Sequence, residues 1–107
     1  MTLDYKAIVK KIKFEGRAFI DGKYVDAIDG EKFENINPAT GEVLCTVSKC
    51  NHKDVDLAVK VSRKAFNSGV WSRTSPEFRK DVLLKFAELL RQTGEENSVL
   101  ECVDTGK

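Results

Sequence analysis

Three cysteines and one histidine are the residues of this 107-residue chain whose chemistry would suit a metal site or a nucleophile. Cys45, Cys50 and His52 form a C-x4-C-x-H pattern that supplies three zinc-type ligands. The spacing differs from that of the usual zinc-binding cysteine pairs, and no second pair follows. The alternative makes Cys45 a small inward residue of a strand, with Cys50 and His52 in the loop before a helix. The spacing favours this second interpretation.

Nucleophilic catalysis would need a cysteine, a base and a group that orients the base. His52 is the only histidine, and nothing in the spacing pairs it with a cysteine. Cys102 falls on the apolar side of the last predicted helix, near Val99 and Val103, which favours a buried, unreactive thiol. Trp71 lies between two predicted helices, where a large ring is expected to fill a gap between packed elements rather than bind a ligand.

The glycines of the sequence form no phosphate-binding motif. All seven occur singly, so no G-x-G-x-x-G dinucleotide pattern exists. A P-loop ending in Gly106 and Lys107 is excluded because Glu101 stands where that pattern needs glycine.

Charge and composition limit the classes of partner. Eighteen Lys and Arg against 17 Asp and Glu give a net charge of +1, so no basic field attracts nucleic acid or an anionic membrane. No apolar run approaches the roughly 20 residues of a membrane span, and the first residues lack the apolar segment of a signal peptide. With three cysteines and 33% charged residues, reduced thiols and a cytoplasmic location are expected. The length suffices for one domain or a piece of a larger one.

The first element predicted is a short amphipathic helix. Leu3, Ala7, Ile8 and Ile12 recur at helical spacing, and Gly16 ends the pattern. The lysines between them are expected to form a solvated face rather than a binding patch.

A small antiparallel β unit is predicted to follow. Residues 17–20 and 23–25 flank an Asp-Gly pair, which is typical of a tight hairpin. A proline and a glycine within residues 37–41 predict a second turn. Residues 42–48 then alternate with a period of two, although Leu44 interrupts the polar face.

Helices are predicted for the second half of the chain. The first starts at an N-cap, Asn51, and ends near Gly69, with Asp54 among its solvent-facing residues. Its predicted apolar face consists of Val55, Ala58, Val59, Ser62 and Phe66. The second starts at Ser75, and Gly94 separates it from a further short helix. Its broad apolar face consists of Phe78, Val82, Leu83, Phe86, Ala87, Leu89 and Leu90.

Several motifs in their order along the chain resemble the N-terminal part of the NAD(P)-dependent aldehyde dehydrogenase superfamily. They are F-I-D-G at 19–22, I-N-P-A-T-G-E-V at 36–43, D-V-D-L-A-V at 54–59 and D-T-G-K at 104–107. The resemblance covers residues 17–107, after an N-terminal helical extension over 1–16. G-V-W-S at 69–72 and S-P-E-F-R-K at 75–80 are most similar to the branch that acts on aminoaldehydes from polyamine breakdown.

The resemblance implies a fold class as well as a reaction. The fold is an α+β fragment of an α/β enzyme, with two to three helices of the cofactor-binding domain after the β unit. The reaction is oxidation of an aldehyde to a carboxylic acid, in which a cysteine thiolate attacks the carbonyl, hydride passes to nicotinamide and water releases the acyl group. The family's nucleophile, base and cofactor-binding residues lie beyond the matched segment. We therefore assign no catalytic or cofactor-binding role to Cys45, Cys50, Cys102 or any other residue of this chain.

The resemblance also implies a monovalent cation site. Many family members hold Na⁺ or K⁺ with main-chain carbonyls that correspond to Asn35 and Ile36 and with an aspartate that corresponds to Asp104. A hard cation of this kind takes oxygen ligands, with water completing the shell. The alternative is that Asp104 caps the end of its helix or the following turn.

Two functional classes follow from these observations. In the first, the chain is the leading fragment of an aldehyde dehydrogenase, from a truncated gene model or a broken reading frame. Such a fragment would be catalytically inactive on its own. The full-length family member would bind NAD or NADP and an aldehyde substrate, and it would be homo-oligomeric. Exposed apolar helix faces are the expected signature of this class. In the second, the chain is a stand-alone α+β interaction module that binds a protein partner.

Overall fold

The computed structural model describes residues 4–107, which form four helices and four strands. In chain order they are α1 (Tyr5–Lys11), β1 (Ala18–Ile20), β2 (Lys23–Val25), β3 (Lys32–Ile36), β4 (Val43–Ser48), α2 (His52–Ser68), α3 (Pro76–Gln92) and α4 (Gly94–Thr105). This order confirms the predicted fold class. Leu3, the first residue of the predicted N-terminal helix, lies outside the described residues, and α1 begins after Asp4, whose side chain accepts a hydrogen bond from the Ala7 N–H.

The predicted β unit is divided into two separate two-stranded antiparallel sheets, β1–β2 and β3–β4. Asp21 and Gly22 join the first pair, with φ angles of 58° and 75°. Positive φ at both turn residues matches the right-handed twist of the flanking strands, which explains why Asp-Gly predicted this hairpin correctly.

The β3–β4 pair contains a bulge that accounts for the irregular alternation of its sequence. Asn35 lies opposite Cys45 and Ile36 lies opposite Val43, so Leu44 has no partner across the ladder. An extra residue on one strand turns the following side chains to the other face. Leu44 is accordingly half-buried although the period-two pattern places it on the polar face.

The ends of the long helices follow local signals in the sequence. The Asn51 side chain accepts from the N–H of Lys53, and Asp54 accepts from the Asn51 N–H, so that a capping box starts α2. Gly69 ends this helix with a left-handed φ of 74°. Ser75 caps α3 by accepting from the Phe78 N–H at 3.1 Å.

The packed side of α2 differs from the predicted one. Asp54, expected on the solvent side, is only 4% exposed, because the loop before β3 folds over the start of the helix and the Ile28 N–H donates to its carboxylate. The half-buried residues that continue this side are Ala58 and Val61, at i+4 and i+7. Most of the predicted apolar face, including Val55, Val59 and Phe66, is exposed.

Two further expectations of burial are wrong. The Trp71 side chain is 43% exposed, and it meets the Phe78 ring edge-on with 6.4 Å between ring centroids rather than filling a gap. Cys102 is exposed, although Val99, one turn earlier on α4, is buried.

The described residues form a flat, open arrangement with very little core. Their accessible surface is 8625 Å², whereas a compact protein of this mass exposes about 6000 Å². The radius of gyration is 17.6 Å, against about 13 Å for a compact chain of this length. Among residues 4–107, Ala27 and Val99 are the only buried hydrophobic residues. No helix in this part of the chain has the length and apolarity that a membrane crossing requires.

Candidate functional site

Two predicted site residues that are far apart in the sequence meet in the structure. Asn35 lies near the end of β3, and Asp104 lies in the last turn of α4. The Asn35 Nδ2 donates a hydrogen bond of 3.0 Å to Asp104 Oδ1 across a separation of 69 residues. The contact brings a carboxylate next to the strand end that carries the Asn35 and Ile36 carbonyls.

The turn that follows β3 holds this strand end in a defined conformation. The Asn37 N–H donates to the Glu42 carbonyl at 2.8 Å, and the Gly41 N–H donates to the Asn37 carbonyl at 2.8 Å. The Asn37 side chain closes an inner turn by accepting from the Ala39 N–H at 2.9 Å. Backbone and side chain of one asparagine therefore fix the loop.

The same turn packs against the end of α4. Gly106 caps this helix with a left-handed φ of 77° and donates its N–H to the Cys102 carbonyl at 2.9 Å. A Cβ atom at Gly106 would lie 2.8 Å from Pro38 Cγ, so the backbone there approaches the turn more closely than a side chain would allow. The end of α4, two residues after Asp104, therefore lies against the turn that follows β3.

The donor set at this corner suits a hard cation. Carboxylate and carbonyl oxygens are the ligands that such cations take, and the β-bulge at Asn35 and Ile36 interrupts the ladder at the two predicted carbonyls. Gly106 ends α4 in the left-handed conformation, and the Asp104 carboxylate accepts a hydrogen bond from Asn35.

A groove lies beside this corner, between α1, α4 and the turn. Its volume is about 610 Å³, and apolar groups line most of it, among them Tyr5, Val9, Ala39 and Val99. The Cys102 side chain lies along the same groove. The N-terminal helix thus packs next to the predicted cation ligands.

A second polar cluster joins the loop before β3 to the start of α2. Asp29 accepts from Lys53 Nζ at 2.8 Å and from Asn51 Nδ2 at 2.7 Å, and these bonds, that from Lys53 most strongly, lower the pKa of Asp29. The backbone N–H groups of Asn51 and Ile28 lower the pKa of Asp54. The hydrogen bonds of this cluster join the loop before β3 to the start of α2, which indicates a structural anchor.

The three residues of the C-x4-C-x-H pattern are placed on different elements. Cys45 is half-buried on β4, Cys50 is exposed in the loop after it, and His52 is the first residue of α2. Within the described range 4–107, no three His, Cys, Asp or Glu side chains are grouped so that they could hold a metal ion.

The sequence predicted a site at Asn35 and Asp104 but not the hydrogen bond that joins them. The prediction gave Asn35 a role only through its main-chain carbonyl, as a cation ligand, whereas its side-chain amide donates the hydrogen bond to Asp104. The close approach of Gly106 to Pro38 was also missed. Both contacts join segments that are distant in sequence, so the spacing within either motif carries no signal for them.

Comparison with known proteins identifies relatives that match nearly the whole chain. Residues 24–107 match the aldehyde dehydrogenase family. The chain is 50% identical over 102 residues to aldehyde dehydrogenase 1 of Tanacetum cinerariifolium, covering 95% of this chain and 20% of that protein. It is 44% identical over 104 residues to aminoacetaldehyde dehydrogenase of Pseudomonas aeruginosa, covering 97% and 21%.

The fold is similar to that of solved enzymes as well. The structure of the P. syringae indole-3-acetaldehyde dehydrogenase with NAD⁺ superposes with a TM-score of 0.90 at 43% identity. The match covers 94% of this chain and 20% of that one. The chain therefore spans about a fifth of the length of the relatives it matches. Its sequence and its fold both place it in one family: the chain belongs to the aldehyde dehydrogenases.

Proposed function

We propose that the chain acts as the N-terminal part of an NAD(P)-dependent aldehyde dehydrogenase that oxidises an aldehyde to a carboxylic acid. The family match over 24–107 and the share of about a fifth of its relatives support this proposal. NAD(P)⁺, when bound to the whole enzyme, accepts the hydride of the aldehyde. No residue of this chain is assigned to the nucleophile, the base or the cofactor.

The observation that carries the proposal is the uncovered apolar surface of the long helices. Phe78, Val82, Phe86 and Leu89 of α3 are all exposed, as are Val55, Val59 and Phe66 of α2. Apolar surface of this extent marks a face that another part of the same protein or a protein partner covers. Because the chain spans only about a fifth of the length of its relatives, the missing remainder of the enzyme is the favoured cover for these faces.

The proposal predicts that the isolated chain has no aldehyde dehydrogenase activity of its own. Purified chain is mixed with NAD⁺ or NADP⁺ and a panel of aldehydes, and formation of the reduced nucleotide is followed. No turnover above a protein-free blank is expected, because the reacting groups lie elsewhere in the whole enzyme. Turnover that copurifies with the chain through successive columns would overturn the assignment of all reacting groups to other segments.

We further propose that Asp104, with the carbonyls of Asn35 and Ile36, holds Na⁺ or K⁺ in the whole enzyme. The Asn35–Asp104 hydrogen bond and the fixed turn after β3 support this site. Crystals soaked in rubidium or thallium salts should show an anomalous peak beside Asp104, and Asp104→Asn should remove it. Soaked crystals of the unsubstituted protein without such a peak would contradict the proposal.

For the substrate we propose an aminoaldehyde. The motifs at 69–72 and 75–80, together with the relative named aminoacetaldehyde dehydrogenase, support this class. A kcat/KM of the whole enzyme for aminoaldehydes that exceeds its kcat/KM for uncharged aldehydes of the same length would support the substrate class, and the reverse order would oppose it.

We also propose that the whole enzyme is cytoplasmic and homo-oligomeric.

A further inference from the structure

The side chain of Asn35 gives the proposed cation site a contact that its main-chain carbonyl does not. Its Nδ2 group donates a hydrogen bond of 3.0 Å to Asp104 Oδ1. Asn35 is half-buried on β3, whereas Asp104 is exposed on α4. The strand end that carries the two predicted carbonyl ligands therefore also touches the carboxylate.

Both ends of this hydrogen bond lie on elements that other contacts hold in place. Asn35 pairs with Cys45 in the β3–β4 ladder, immediately before the bulge. Gly106 ends α4 close to Pro38 in the turn after β3. A hydrogen-bond donor held in this way orients the carboxylate that accepts from it, as donors around metal-binding carboxylates generally do.

The hydrogen bond leaves the Asp104 carboxylate with its negative charge and with free oxygen capacity. A carboxylate has two oxygens, and each can accept more than one bond. The neutral Asn35 amide takes one position on Oδ1. Within residues 4–107, no Lys or Arg forms an ion pair with Asp104. The carboxylate is therefore oriented by this contact but not neutralised by it.

The neutrality of Asn35 also limits the charge of the site. Aspartate has nearly the same shape as asparagine, so an aspartate at position 35 would put a second carboxylate beside that of Asp104. Two adjacent carboxylates repel each other, and the number of charged ligands tunes the affinity of a site for Ca²⁺. With asparagine the two side chains carry a single negative charge, which one monovalent cation balances.

We propose that Asn35 is a positioning residue whose amide orients the Asp104 carboxylate and whose neutrality makes the site favour a monovalent over a divalent cation. This inference rests on the cation site proposed above and assigns a role there to the Asn35 side chain. Both parts concern cation affinity, so the test needs no measurement of catalysis.

The test is thermal unfolding of the whole enzyme that contains this chain, titrated separately with NaCl, KCl and CaCl₂. Tetramethylammonium chloride keeps the ionic strength constant. A cation that binds the folded enzyme raises Tm as its concentration passes the dissociation constant, so each titration yields an affinity. The unsubstituted enzyme should be stabilised by Na⁺ or K⁺, and Asp104→Asn should abolish that stabilisation.

Two substitutions of Asn35 separate orientation from charge. Asn35→Leu keeps the branched shape but removes the donor, and it should raise the dissociation constant for Na⁺ or K⁺ at least about tenfold. Asn35→Asp removes the donor and adds a charge. It should lower the dissociation constant for Ca²⁺ relative to that for Na⁺ or K⁺ by at least about tenfold.

Asn97→Asp is the matched control because it makes the same change of charge on α4. Asn97 is exposed, and its Nδ2 also donates to one side-chain oxygen, that of Thr93, at 2.9 Å. This variant should keep the cation affinities of the unsubstituted enzyme. Circular dichroism verifies the fold of every variant.

The outcomes distinguish the site from the role of Asn35. An unsubstituted enzyme that Na⁺ and K⁺ do not stabilise, or an Asp104→Asn variant that they stabilise equally, would overturn the cation site and the role of Asn35 with it. If Asp104→Asn abolishes the response, unchanged monovalent affinity in Asn35→Leu or an unchanged Ca²⁺ preference in Asn35→Asp would overturn the role of Asn35 alone. Aldehyde oxidation by the same preparations reports separately on the proposed reaction.

Discussion

Two aspartates, one at the start of α2 and one in the last turn of α4, show how the same side chain serves different purposes. Asp54 is buried and accepts from two backbone N–H groups, those of Asn51 and Ile28, each at 2.9 Å. Asp104 is exposed and accepts from one side-chain amide, that of Asn35. The first satisfies the backbone at a helix start, whereas the second leaves carboxylate oxygen capacity for the cation that we propose.

The buried aspartate should make the stability of the chain depend on acid. Hydrogen bonds from the Asn51 and Ile28 N–H groups lower the pKa of Asp54 in the folded state. Its contribution is therefore complete above the unfolded-state pKa of about 3.9 and is lost as the pH falls through the lower folded-state pKa.

Thermal unfolding at one chain concentration, at neutral pH and near pH 3, measures this effect. Asp54→Asn should lower Tm by several degrees at neutral pH and should reduce the further loss on acidification, because an amide cannot accept both bonds in the same way. Asp56→Asn, at an exposed position on the same helix, is the control and should resemble the unsubstituted chain. Equal acid sensitivity in both variants would refute the role given to Asp54.

At the scale of single elements, helix ends and tight turns were predictable, and packed faces were not. Helix caps and tight turns depend on residues next to one another in the sequence, so residue type alone predicted the caps at Asn51 and Gly69 and the Asp21-Gly22 turn. The buried side of α2 depends on the loop that donates the Ile28 N–H, which approaches from 26 residues away. Helical periodicity alone could not reveal that Asp54 would be covered.

The β3–β4 pair also depends on a contact that no pattern announced. The Gly16 carbonyl accepts from the Ser48 N–H at 2.8 Å, and a Cβ atom at Gly16 would collide with the Thr46 carbonyl. The predicted boundary of the N-terminal extension thus falls at a residue whose backbone lies directly on β4.

Two glycine substitutions distinguish this contact from ordinary backbone effects. Gly16→Ala should destabilise the chain by about 1–3 kcal/mol, because β4 must shift to admit the methyl group. Gly94→Ala, at the start of α4 where no atom lies within 4 Å of the added Cβ, should stabilise it by up to about 1 kcal/mol. Urea unfolding gives both free energies. A Gly16→Ala chain as stable as the parent would show that Gly16 does not need its close approach to Thr46.

At the scale of the whole molecule, the open shape is what a chain that spans about a fifth of its family relatives is expected to have. The family resemblance was evident from the order of the motifs, and exposed apolar helix faces were expected from it. The exposure of Trp71 was not, because the sequence reasoning assigned it a gap between helices that the described residues leave open. The described helices and strands do not enclose a core, so side chains that a compact chain would bury are exposed here.

The most direct test of the central claim is the activity of a chimera. The P. syringae indole-3-acetaldehyde dehydrogenase, whose N-terminal part superposes on this chain with a TM-score of 0.90, would receive this chain in place of that part. If the chain is the N-terminal part of such an enzyme, the chimera should oxidise indole-3-acetaldehyde with NAD⁺ at a kcat/KM within about tenfold of the parent's. A chimera that assembles like the parent but has lost this activity altogether would contradict the account.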